Sequence, residues 1–198
     1  MQNIKAIFIL FFVLLSPTMK AQDSTDYYYQ IPEYPSNYTA ANVVARMVDG
    51  LGFRYYWGTE GLRAEDLSFQ PSDSARTSQQ TLDHIYSLVN IINNAVHLVP
   101  TVFPAKEESM TFEEKRNRTL AMLKEASEIL KNSKEGDLAI FNMIFEGPNY
   151  SKEYPFWNEI NGPIADALWH VGQVVSFRRS SGNPFNSKVS VLNGKLKD

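Results

Sequence analysis

Residues 161–184 read NGPIADALWHVGQVVSFRRSSGNP, and this stretch carries both a set of helix boundary signals and the densest polar chemistry of the chain. Gly162-Pro163 predicts a helix start, because proline at the first helical position gives up an amide hydrogen that has no partner there anyway. Arg178, Arg179, Gly182 and Pro184 predict the stop. Cations suit the negative end of the helix dipole, glycine accepts a left-handed cap, and proline blocks continuation. Within this helix Asp166 and His170 stand four residues apart and so project from one face, about one turn from each other. A carboxylate and an imidazole so placed can grip one ion.

Outward from this stretch, the 198 residues with 43% hydrophobic content are enough for one domain with a substantial core. The expected organisation is a signal segment over 1–21, an extended lead-in over 22–38 and one helical domain over 39–198. The opening has Lys5, then ten apolar residues from Ala6 to Leu15, then Ser16-Pro17 and the small residue Ala21. Ten residues fall short of the roughly 20 needed to span a bilayer, and fit the central part of a secretory signal cleaved after Ala21 better than an uncleaved anchor. The expected location is therefore outside the cytoplasm, periplasmic or extracellular. Removal of Lys5 and Lys20 leaves 17 basic against 22 acidic residues, a formal charge of −5. That balance argues against a nucleic-acid partner, which needs a concentrated basic surface. With no cysteine in the chain, disulfides, thiolate ligands and cysteine nucleophiles are excluded, and any metal site must use His, Asp or Glu.

The lead-in, QDSTDYYYQIPEYPSNY, is rich in Tyr and Pro without helical period. A first helix is predicted from Thr39 as N-cap through AANVVARMVDGLGFRYYWGTEGL. Val43, Met47 and Leu51, with Val44 and Val48 beside them, follow the spacing of a buried stripe. Its glycines, each costing about 1 kcal/mol relative to alanine in a helix interior, imply a kink or the close approach of another backbone. Phe53, Tyr55, Tyr56 and Trp57, next to Glu60, read either as core of this helix or, for Tyr56, Trp57 and Glu60, as walls and a polar tip of a substrate pocket.

The clearest periodicity lies in SDSARTSQQTLDHIYSLVNIINNAVHLVP, where Leu82, Ile85, Leu88 or Val89, Ile92 and Val96 make a core stripe that Pro100 follows. His84 and His97 on this second helix are separated by roughly 220° around its axis at about 100° per residue, so both cannot face one site. Residues 98–110 read as loop. A third helix is expected from Thr111, where T-F-E-E places Glu114 for a capping box, with Leu120, Leu123, Ile129 and Leu130 as its apolar face. Leu138 to Phe145 reads as a short strand or a helix turn, and Gly147-Pro148 and Pro155 make the remainder to Trp157 a loop. Phe156-Trp157 is expected to staple the entry of the last helix, and the tail after Pro184 carries little pattern. Four amphipathic helices with connections of intermediate length predict an all-α four-helix bundle, an architecture that builds metal sites from side chains on facing helices.

The phrases WGTEGL, TLDHIYSL and NGPIADALWHVGQVVSFRRSSGNP resemble the DinB-like superfamily over most of residues 40–185. The resemblance implies an up-down-down-up bundle that holds a divalent metal through three histidines, one on helix two and two on the last helix. On that basis His84 matches the helix-two ligand and His170 the second histidine of the last-helix pair, whereas the first member of that pair falls on Asp166. The departure gives a two-histidine, one-carboxylate set suited to zinc, nickel, manganese or iron, with positions left open for water or substrate. Asp166 could instead orient His170. The resemblance further implies a metal-dependent hydrolase or transferase acting on an unknown small molecule, with Gln173 and Glu60 positioning substrate and Tyr56 and Trp57 lining its pocket. A non-catalytic exported bundle that binds a ligand or partner, with a vestigial metal site, is the alternative. The family often forms homodimers. The apolar stripes here are accounted for by an internal core, which leaves assembly open.

Overall fold

The computed structural model describes residues 27–106 and 109–198; the expected signal segment lies outside them. The helices are α1 (Ala40–Thr59), α2 (Ala64–Ser68), α3 (Ser78–Val96), α4 (Phe112–Asn132), α5 (Phe156–Glu159) and α6 (Ala165–Ser180). The strands are β1 (Thr101–Val102), β2 (Met143–Gly147), β3 (Tyr150–Tyr154), β4 (Val189–Ser190) and β5 (Lys195–Leu196). Three of the long helices start on threonine caps. Thr39, Thr77 and Thr111 accept from the amides of Asn42, Gln80 and Glu114, and the side chains of Gln80 and Glu114 return the bond to the cap amides. Each such cap stabilises its helix by about 1 kcal/mol.

The four long helices enclose one core, α1 and α3 each packing against both α4 and α6. Ion pairs show that α1 and α4 are antiparallel: Glu60 meets Arg116 near the start of α4, and Asp49 meets Lys131 near its end, both at 2.6 Å. The buried stripe of α1 is centred on Val44, Val48 and Leu51, while Val43 is exposed. On α3 the expected residues Leu82, Ile85, Leu88, Val89, Ile92 and Val96 are all buried.

The expectation of an all-α four-helix bundle is overturned, because the fold is mixed. Strands β1, β2 and β3 form one sheet, β1 parallel and β3 antiparallel to β2, and β4 and β5 form a second, antiparallel pair. The physical reason lies in residues 143–154. Met143 packs with Ile91 and Ala95 of α3, and Phe145 and Tyr154 cover that satellite core, so the hairpin exists to shield an apolar face of α3. Strand β2 thus falls partly within the segment read as strand or turn. Strand β3 lies where Pro148 and Pro155 had predicted only loop, since prolines just outside a strand do not interrupt its ladder. Likewise β1 sits inside the stretch read as loop.

The described part of the lead-in, from Tyr27 on, is docked on α1. Tyr28 is fully buried and its hydroxyl donates to Asp49 at 3.3 Å, while the Trp57 indole donates to the Tyr29 carbonyl at 3.1 Å. The Tyr28 ring lies over Gly52, where an added Cβ would fall 2.4 Å from ring carbon Cζ. The glycines of α1 had predicted a kink or the close approach of another backbone; at Gly52 it is a side-chain ring that comes close.

Candidate metal centre

The last helical segment begins earlier than its Gly-Pro signal indicates. It enters at Phe156 behind Pro155 and passes through a π-helical turn, Ile160–Ile164, before continuing as α6. Proline inside an α-helix lacks an amide donor and clashes with the carbonyl four residues back. The wider turn accommodates Pro163, with Gly162 taking the non-helical φ −93°, ψ −107°. At the far end the chain stops as expected: Gly182 has φ +83°, and the buried Arg178 donates to the carbonyls of Trp57 and Gly58 at 3.1 and 3.0 Å. That contact ties α6 to the end of α1.

Helices α3 and α6 bring His84, Asp166 and His170 together. His84 Nε2 lies 3.4 Å from Asp166 Oδ2 and His170 Nε2 lies 3.3 Å from Asp166 Oδ1. The two imidazoles meet edge to face with centroids 4.7 Å apart. One ligand-capable atom from each residue falls within 4.8 Å of the other two. These separations exceed the roughly 2.7–2.9 Å of a charge-assisted hydrogen bond. Two donors about 2.0–2.1 Å from a shared tetrahedral ion stand roughly 3.3–3.5 Å apart; each imidazole nitrogen has that spacing to a different Asp166 oxygen, and the set with one atom per residue spans up to 4.8 Å.

The protonation chemistry agrees. His170 Nδ1 lies 2.7 Å from Gln173 Oε1, an acceptor, so this nitrogen carries the proton and the Nε2 lone pair is left for a ligand. Burial lowers the pKa of His84 below its ordinary value, helped by the charges of Arg76 and His170 and opposed by Asp166, which favours the neutral, metal-binding imidazole. Two imidazole nitrogens and one carboxylate suit a first-row divalent ion better than calcium or magnesium, which take oxygen donors.

A scan against protein-family models and searches of curated proteins and of solved structures found no match to this chain. Function has to come from the site itself.

An open cleft of about 310 Å³ begins at Asp166. Leu88 and Ile91 of α3, Met143 and Phe145 of β2, Tyr154 of β3 and Pro163 of the π turn form its apolar walls, with Asn158 and Asn161 beside them. That α3 residues 88 and 91 share this cleft with residues 161–166, while His84 meets His170, shows α3 and α6 to be antiparallel. Of the remaining sequence-predicted residues, Gln173 reaches the centre through His170. Tyr56, Trp57 and Glu60 do not line this cleft. Tyr56 and Trp57 are buried and pack with Tyr29, Tyr56 lies under the Arg116 guanidinium, and Glu60 accepts from Arg116 at 2.6 Å. Sequence reasoning missed Asn158, Asn161 and the hairpin wall. The only local signal for them was the pair of asparagines three residues apart just ahead of Gly162-Pro163.

Proposed function

We propose that this protein is a divalent-metal-dependent hydrolase whose ion is held by His84, Asp166 and His170. The observation that carries the reading is the convergence of three ligand-capable atoms from two helices to within 4.8 Å, one of them, Asp166, also lining an apolar cleft. The ion would be zinc, nickel, manganese or iron, and when bound it polarises a substrate carbonyl and lowers the pKa of a coordinated water. Asp166 supplies one negative charge and the two imidazoles none, so a divalent ion keeps a net positive charge with which to do this. Gln173 holds the His170 ring, and His84, nearly a third exposed, leaves the centre accessible to substrate. Kinship with the DinB-like superfamily, carried by the His84 and His170 motifs, belongs to the same reading. Export favours hydrolysis over a thiol-dependent transfer, because cytosolic low-molecular-weight thiols are absent outside the cell.

The test is elemental analysis of the mature protein, purified without a histidine tag or chelator, beside His84→Ala and Asp166→Ala. About one equivalent of a transition metal in the parent protein, lost in both variants, is the expected result. Wild-type stoichiometry in both variants would sink the site. A parent protein that takes up no zinc, nickel, manganese or iron at neutral pH would leave the alternative, a ligand-binding protein with a vestigial centre.

A further inference from the structure

The cleft offers more than access to an ion. At about 310 Å³ it sits at the small end of ligand cavities, which run from roughly 300 to 1,000 Å³. Its walls are aliphatic and aromatic, with the Phe145 and Tyr154 rings edge to face at 5.7 Å and Met143 supplying an adaptable surface between α3 and the hairpin. No lysine or arginine lines it among the described residues, and Asp166 is the one charged residue of its lining. Polyanionic bodies such as nucleotides and sugar phosphates are therefore unsuited to it. Asn158 and Asn161 line the cleft and make no side-chain hydrogen bond to the described residues, so an amide of each can meet a ligand there.

We infer that the cleft binds the uncharged, apolar acyl or aryl body of a small ester or amide and brings its carbonyl to the His84/Asp166/His170 centre. This rests on the metal-centre reading above and names the substrate class for it. The reaction is a hydrolysis. Water oxygen bonds to the carbonyl carbon, the carbon–oxygen or carbon–nitrogen bond to the leaving group breaks, and the leaving group takes a proton. The products are an apolar carboxylic acid and an alcohol or amine. Asn158 and Asn161 hydrogen-bond the polar linkage and discriminate against plain hydrocarbons, as unpaired amides at a cleft do when a ligand offers no partner.

The experiment compares acetohydroxamate with 4-phenylbutanohydroxamate, which share a metal-binding head and differ in apolar body. Calorimetric titration of zinc-loaded protein is expected to give at least 30-fold tighter binding of the phenyl compound, since each buried methylene is worth roughly fourfold in affinity. Asn161→Trp, at an exposed position, is expected to fill the cleft and erase that preference while zinc content stays unchanged. In zinc-free protein carrying methyl-labelled methionine, the phenyl ring is expected to shift the Met143 resonance, assigned with Met143→Leu. Equal affinities for the two hydroxamates with zinc bound would overturn the cleft assignment and leave the metal centre standing. If the protein takes up no zinc, the metal reading fails, and the Met143 shift alone then decides the cleft: its presence supports apolar binding there and its absence at millimolar ligand refutes it.

Discussion

Replacing Gln173 by leucine tests the centre without touching a ligand. Gln173 lies one turn beyond His170 on α6, and its Oε1 accepts from His170 Nδ1 at 2.7 Å. Leucine keeps much of the volume and removes the acceptor, so the ring loses both its orientation and its preference for presenting Nε2. A lost hydrogen bond of this kind is worth about 1–3 kcal/mol, and loss of the partner that orients a liganding histidine typically costs 10–100-fold in metal affinity. The assay is zinc competition against a chromophoric chelator at fixed pH and salt. The Q173L protein should bind zinc about 10–100-fold more weakly than the parent, which is about 1.4–2.7 kcal/mol. Gln173→Glu supplies an oxygen in the same place and should bind at least as tightly as the parent, whereas His170→Ala should bind beyond the range of the assay. Parent-like affinity in Q173L would refute the idea that this bond positions the ligand. Equal weakening in Q173L and Q173E would assign the effect to packing instead.

Glu159 supplies a pH dependence of the opposite sense to that of most carboxylates. Both its oxygens are buried without a hydrogen-bond partner among the described residues, and burial raises its pKa to about 8. The folded state therefore holds a proton that the unfolded state has released, and stability is full below about pH 4.5 and falls as pH rises through about 8, by at most about 5 kcal/mol. Urea unfolding at pH 5, 6.5 and 8 should show this fall in the parent protein and a flatter profile in Glu159→Gln; parallel profiles would mean that Glu159 does not carry it. On α1, Gly52→Ala forces a Cβ into the Tyr28 ring and should destabilise by about 1–3 kcal/mol. Gly172→Ala, with open space at its Cβ, should instead stabilise by up to about 1 kcal/mol, and urea midpoints that fail to separate the two would contradict the docked lead-in.

What could be read from the sequence was what short-range chemistry decides. The caps at Thr39 and Thr111, the core stripe of α3 and the stop at Gly182 each depend on residues within a turn or two, and each is where its local signal places it. Asp166 and His170 were legible for the same reason, being one turn apart. Joining His84 to them needed a contact 82 residues away in sequence, which no periodicity supplies and which the family resemblance proposed. Strand β2 was legible in part, as a short strand or helix turn, but its pairing with β3 was not, because the two strands are five residues each and their reason for pairing is an apolar patch on a distant helix. Arg178 reads in sequence as a cation at the end of a helix dipole. In the fold it is 4% exposed and bonded to two carbonyls of α1, a role visible only once α1 and α6 are adjacent.

The π turn explains how one helical segment can serve both the cleft and the centre. Asn158, Gly162 and Asp166 all line the cleft, spaced by four residues each. On an uninterrupted α-helix eight residues make about 2.2 turns, so Asp166 would be rotated roughly 80° away from Asn158 around the axis. Bonding in the i→i+5 pattern widens the turn and lowers the rotation per residue, which takes back much of that drift between Ile160 and Ile164. Beyond the turn the ordinary α-helical period resumes, and it carries His170 one turn above Asp166 and onto His84. Pro163 excludes a regular α-helix at this point, and Gly162 makes its replacement sterically accessible. The Gly-Pro pair, read from sequence as a beginning, acts in the fold as an offset that puts the cleft wall and the carboxylate ligand on one face.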